Sequence, residues 1–138
     1  MGEVRQERTH WRDLSLNDRH RQWGYDCPMT DIDLLTIEYD SGTPRALVEY
    51  KHERASPQYS THPTYRALTT LGNDAGLPVF AVRYADDFAW FRVVPLNDRA
   101  RAWTPERREM TEREWVELLY KVRGRELPRE VFDTLEEI

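Results

Sequence analysis

Between Asp31 and Lys51 the chain has few options other than a β-hairpin. Residues 31–39, Asp-Ile-Asp-Leu-Leu-Thr-Ile-Glu-Tyr, alternate and are rich in β-branched and aromatic side chains. That is the pattern of a strand. Asp40-Ser41-Gly42 is a turn signal, with Gly42 suited to a left-handed position. Ala46-Leu47-Val48-Glu49-Tyr50-Lys51 is the return strand. Side chains alternate faces along a strand, so Asp31 shares a face with Asp33, and Glu49 with Lys51. A three-residue loop, Asp40 to Gly42, pairs Tyr39 with Thr43. That register sets Asp33 opposite Glu49 and Asp31 opposite Lys51, with Cβ atoms about 4.5–5.5 Å apart. Carboxylates at that spacing repel unless a cation sits between them. A lysine beside them can hold an anion or a water next to that cation. The plainer alternative is a solvated sheet face, where each cross-strand charge pair contributes about 0.2–1 kcal/mol. Against it, Leu34, Leu35, Ile37, Leu47 and Val48 fall on both faces, so both strands are expected to be largely buried. Buried charge is costly unless it is paired or metal-bound.

Asp33 followed by Glu49-Tyr50-Lys51, at the end of an apolar strand and after a glycine turn, resembles the core of the PD-(D/E)XK nuclease superfamily. There an Asp is followed by Glu-x-Lys on the next strand. The resemblance covers roughly residues 23–84. The family's Pro before the Asp is displaced here: Pro28 is followed by Met29-Thr30. Asp31 and Asp33 therefore both stay open as the catalytic position, and the hairpin register favours Asp33. The resemblance implies an α/β fold, a mixed β-sheet core flanked by α-helices. It implies Asp33, Glu49 and Lys51 as catalytic residues. Asp33 and Glu49, with Asp31 and the backbone carbonyl of Tyr50, would hold Mg²⁺ or Mn²⁺. Oxygen donors with several retained waters suit those ions.

At 138 residues the chain is expected to be one domain. Residues 1–13 read as a helix or a loose arm, and 128–138 as a tail packing on the core or on a partner. No apolar run approaches the roughly 20 residues of a membrane helix. The first ten residues lack a signal-peptide core. Cys27 is the single cysteine, so no internal disulfide is expected, and a cytoplasmic protein is the default. The net charge of −5 argues mildly against nucleic-acid binding, which usually leaves a basic footprint. The charge is uneven, however. Acids crowd the C-terminus, whereas Arg45, Lys51, Arg54 and Arg66 flank the candidate site.

Ser15-Leu16-Asn17-Asp18 reads as a helix start, giving a short helix over 16–23 that stops at Gly24. Asp18 is its one acid able to serve as an extra metal ligand, but capping explains Asp18 without that role. His52 and His62 read as loop or phosphate-contact residues. A helix opens at Thr61 or His62 with Pro63 in its first turn, and ends between Gly72 and Gly76. Tyr65, Leu68 and Leu71 recur at helical spacing and would face the sheet. Residues 77–84 and 88–95 read as two further strands forming a second hairpin. Residues 97–105 read as irregular. Thr111-Glu112-Arg113-Glu114 is a capping box. It opens a helix with Trp115, Leu118, Leu119 and Val122 on one stripe, stopped by Gly124.

The expected function is hydrolysis of phosphodiester bonds in DNA by a magnesium-dependent endonuclease. Arg54, Arg66, His52 and His62 are the expected nucleic-acid contacts. The small size resembles Holliday-junction resolvases, which work as dimers, and a phage-type nuclease fits equally. A homodimer is among the expected states. The rival from another class is a silent nuclease-like module that binds DNA or inhibits a partner.

Overall fold

A computed structural model describes residues 15–24, 30, 32–57 and 61–136. Asp31, the expected arm 1–13 and the connection through Cys27 and Pro28 lie outside the described residues. The chain divides into two units, 1–31 and 32–138. The first contributes one described helix, α1 (Ser15–Gln22). It ends where the Trp23 amide donates to the Arg19 carbonyl at 3.1 Å and Gly24 takes a positive φ of 95°.

The second unit is α/β. Its elements are β1 (Leu34–Glu38), β2 (Thr43–His52), α2 (Pro63–Ala75), β3 (Val79–Tyr84), β4 (Phe91–Pro95), α3 (Asp98–Arg101), β5 (Arg108–Met110), α4 (Glu112–Val122) and α5 (Arg129–Glu136). The strands form one mixed sheet in the order β1-β2-β3-β4-β5. β2 and β3 are parallel, joined through α2. The other pairs are antiparallel.

The hairpin reaches its expected register by another route. Glu38 pairs with Thr43, so the loop holds four residues, 39–42, rather than three. It is held by the Glu38 Oε1 carboxylate, which accepts from the Ser41 amide at 3.0 Å and the Ser41 hydroxyl at 3.1 Å. A bulge then inserts Arg45 between the Ile37–Pro44 and Thr36–Ala46 pairs. One added loop residue and one bulged residue cancel. Leu35 meets Leu47 and Leu34 meets Val48, the phase that sets Asp33 against Glu49.

Alternation divides the core between the two faces of the sheet. On one face Ala46, Val48, Phe80, Val82, Phe91 and Val93 pack with Met110, Trp115 and Val122. Trp115 is 1% exposed, and its Nε1–H donates to the Tyr50 hydroxyl at 2.9 Å. Leu118 and Leu119 of α4 pack against this cluster and are half-buried. The other face buries Leu47 and Val79 beneath Leu68 of α2, with Leu77 and Leu96 beside them.

Several expectations need correction. Leu71 does not face the sheet but is 45% exposed, the buried residues of α2 being Tyr65, Leu68 and Gly72. The strand expected over 88–95 begins only at Phe91. β1 is not buried: it is the edge strand, with Leu34 49% and Leu35 47% exposed. Its apolar pattern reflects strand propensity rather than depth. Residues 97–105 are not irregular throughout. Asn97 caps α3, its Oδ1 accepting from the Ala100 amide, and the same oxygen accepts from the Val79 amide, both at 3.0 Å. Its Nδ2 donates to the Leu77 carbonyl at 2.8 Å. This buried side chain ties the end of α2, the start of β3 and α3 together. Gly72 is required beside it, because a Cβ there would collide with the Val79 side chain. A fifth strand, β5, also joins the sheet where no strand signal is visible in sequence.

The expected helix ends are found. His62 caps α2, its Nδ1 accepting from the Thr64 amide at 3.2 Å, and Gly76 closes it in a left-handed conformation. The capping box of α4 is complete. Thr111 Oγ1 accepts from the Glu114 amide at 3.2 Å, and Glu114 Oε1 accepts from the Thr111 amide at 2.9 Å. Part of the C-terminal tail forms α5, which packs on α4 with the Arg113 guanidinium over the Phe132 ring.

Candidate active site

The site begins where β1 stops pairing. Antiparallel pairing ends at Leu34–Val48. The next amide on that edge of β2 belongs to Tyr50, and it donates to Asp33 Oδ2 at 3.0 Å. A side-chain oxygen thus takes the place of a ladder carbonyl and fixes the Asp33 carboxylate against the edge of β2. The Tyr50 carbonyl lies on the same edge as its amide.

Glu49 follows Val48 on β2 and is 6% exposed. It lies on the α2 face, because its neighbours Val48 and Tyr50 belong to the α4 face and side chains alternate. Tyr65 of α2, itself buried, sits in the field of both acids. Its phenol is pushed above the usual tyrosine range, first by burial and then by the Glu49 charge, with Asp33 adding to it and Arg83 opposing. Asp33, Glu49, Tyr65 and Arg83 therefore share one electrostatic environment.

Lys51 stands two residues beyond Glu49 on the same face. Parallel pairing puts it beside Arg83, and antiparallel pairing puts Arg83 beside Arg92. A cleft of about 390 Å³ opens over this row, lined among the described residues by Lys51, Tyr65, Arg83, Arg92 and Arg107 together with apolar side chains. No carboxylate is among these described lining residues.

The donor set fits Mg²⁺ or Mn²⁺. Asp33, Glu49 and the Tyr50 carbonyl are hard oxygen donors. Mg²⁺ is commonly held by one or two carboxylates together with substrate phosphates, not by a full protein cage. Among the described residues no group of three His, Cys, Asp or Glu converges, and Asp31 lies outside them. Asp18 belongs to the N-terminal unit, where it faces Arg21 at 3.5 Å.

The four expected nucleic-acid contacts do not line the cleft. His52 Nε2 pairs with Asp86 Oδ1 at 2.9 Å, and its Nδ1 accepts from the Arg54 amide at 3.1 Å. The Arg54 side chain is exposed in the turn after β2. His62 is occupied as the cap of α2. Arg66 is exposed on α2, in a shallow depression with Ala67 and Leu71. Besides Lys51, the described cations that line the cleft are Arg83, Arg92 and Arg107, and these three carry no motif. Their signal is an arginine at the α2-facing phase of each of two strands, legible only once the strands are placed in register.

No protein-family model matches the chain, and neither a curated protein nor a solved structure matches it.

Proposed function

We propose that this chain is a metal-dependent nuclease of the PD-(D/E)XK type that hydrolyses phosphodiester bonds in DNA. One observation carries the reading. The Asp33 carboxylate is clamped on the Tyr50 amide, one strand away from buried Glu49, with Lys51 next on the same face.

A divalent ion at this pair would supply charge neutralisation at the scissile phosphate and an acidified water. The chain's own residues do the rest. Asp33 and Glu49 would hold the ion, and the Tyr50 amide, which donates to Asp33 Oδ2, keeps Asp33 from turning away. Lys51 lines the cleft, where its ammonium would orient the attacking water or stabilise charge that develops in the transition state. Tyr65 stays a neutral phenol at physiological pH and closes the α2 side of the site.

The test is incubation of the full chain with labelled single-stranded, duplex and four-way DNA and with RNA, in Mg²⁺, Mn²⁺ or EDTA. Cleavage should require the ion. Glu49→Ala should abolish both cleavage and ion binding. Lys51→Ala should lower cleavage by roughly 10²-fold or more while ion binding persists, because only interactions made in the transition state raise turnover. Wild-type protein that binds nucleic acid but cleaves nothing with any metal would hand the site to a silent binding module.

A further inference from the structure

Like charges directly opposite each other across strands destabilise a sheet, yet Lys51, Arg83 and Arg92 stand in one cross-strand row. Adjacent strands are about 4.8 Å apart, so the row spans about 10 Å at right angles to the strands. Arg107 extends the cation lining of the same cleft. Two members are held in place by contacts that leave them charged. Arg83 Nη1 donates to the carbonyls of His52, Glu53 and Ala55 at 3.0, 3.2 and 2.8 Å. The Arg92 guanidinium lies 4.3 Å from the Trp90 ring centre and reaches Glu109 only at 3.4 Å. Among the described residues, Lys51 and Arg107 have no carboxylate partner within ion-pair distance. In a chain of net charge −5, four cations lining one cleft, of which only Arg92 has a described carboxylate in ion-pair reach, Glu109, mark an anion path.

We propose that this row is a track for the phosphodiester backbone of a single nucleic-acid strand, running from the Asp33–Glu49 pair across β2, β3 and β4. The site therefore takes single-stranded or locally unpaired nucleic acid. Only the direction of the track rests on the nuclease reading. A cleft of about 390 Å³ is at the small end of ligand sites, which suits one backbone and not two. The stacked Trp90 and Arg92 add a flat platform at the row's far end. A positive groove with an aromatic platform is how proteins hold single strands without reading sequence.

The experiment is fluorescence anisotropy of a labelled oligothymidylate of about 12 nucleotides, and of a duplex of equal length, over a salt series in EDTA. Wild type should bind the single strand more tightly. Arg92→Gln and Arg107→Gln should each flatten the plot of log affinity against log salt by about 0.7, the share of one phosphate on a single strand. Trp90→Ala should weaken binding roughly tenfold without changing that slope. Circular dichroism of each variant should match wild type, and Lys121→Gln, remote on α4, should leave the slope unchanged. Equal or tighter duplex binding overturns the single-strand assignment, and an unchanged slope in both arginine variants overturns the track. Metal-free binding through these arginines, with no cleavage in Mg²⁺ or Mn²⁺, would sink the nuclease reading and keep the track. Cleavage indifferent to Arg92 and Arg107 would do the reverse.

Discussion

The two faces of the sheet are built by the same strands and follow opposite rules. Beneath α4, Val48, Phe80, Val82 and Val93 close around Trp115, and Tyr50 and Trp115 satisfy each other's polar atoms at 2.9 Å. Beneath α2, Leu47 and Val79 are the apolar strand residues sealed by Leu68 and its neighbours. Further along, the strands carry Glu49, Lys51, Arg83 and Arg92. The helix covers one end of its face and leaves the other as a charged cleft. Stability should therefore concentrate on the α4 face, and sensitivity to charge on the α2 face.

The strongest test of that division is Trp115→Ala. Deleting a fully buried Trp should cost about 3–5 kcal/mol in urea unfolding. A loss below about 1 kcal/mol, well under the lower end of that range, would mean that α4 does not close the core. Arg83→Met asks the same of the charged face. It removes the donor held by three carbonyls but also relieves repulsion from Lys51 and Arg92. A net loss of about 1–3 kcal/mol is expected, smaller than that of Trp115→Ala. A larger loss would make Arg83 a core residue and break the comparison.

The smallest effect separates two tyrosines. Burial raises the phenols of both Tyr50 and Tyr65, but only Tyr65 is raised further by Glu49. A raised phenol favours folding below the usual tyrosine range near 10. Its contribution is lost as pH climbs through the higher folded value. Glu49→Gln should lower the titration of Tyr65 and leave that of Tyr50 in place, read by NMR of ring-labelled tyrosine. Equal movement of both would place Glu49 off the α2 face.

The sequence made the hairpin legible, but for a partly mistaken reason. Alternation located both strands, and Gly42 located the turn. The loop is one residue longer than the turn signal suggests, and Arg45 bulges to restore the phase. In the Thr43-Pro44-Arg45-Ala46 run Pro44 is a local hint of irregular pairing, since proline cannot donate to a ladder, but which residue bulges is decided by the pairing with β1. Helix ends were legible because caps are local: Thr111 with Glu114, His62 with Pro63, Gly76. Arg83 and Arg92 were not, because a cation row exists only between strands that are distant in sequence. The role of Asn97 was hidden for the same reason, since its partners lie on α2, β3 and α3. The depth of β1 was misread because Leu34, Leu35 and Ile37 look alike on an edge strand and on a central one.

Tyr50 stands between Glu49 and Lys51, a position where a short motif accepts any residue. Its amide clamps Asp33 on one side of the strand, while its hydroxyl meets Trp115 inside the core. The position is consequently closed to most of the alphabet. Phenylalanine keeps the ring but leaves the buried indole N–H without its acceptor, and a smaller residue opens a cavity under β2. Selection for activity from a library randomised at residue 50 should return tyrosine, with few other solutions unless residue 115 varies with it. In this chain the choice of residue 50 is tied through one hydrogen bond to a tryptophan sixty-five residues away.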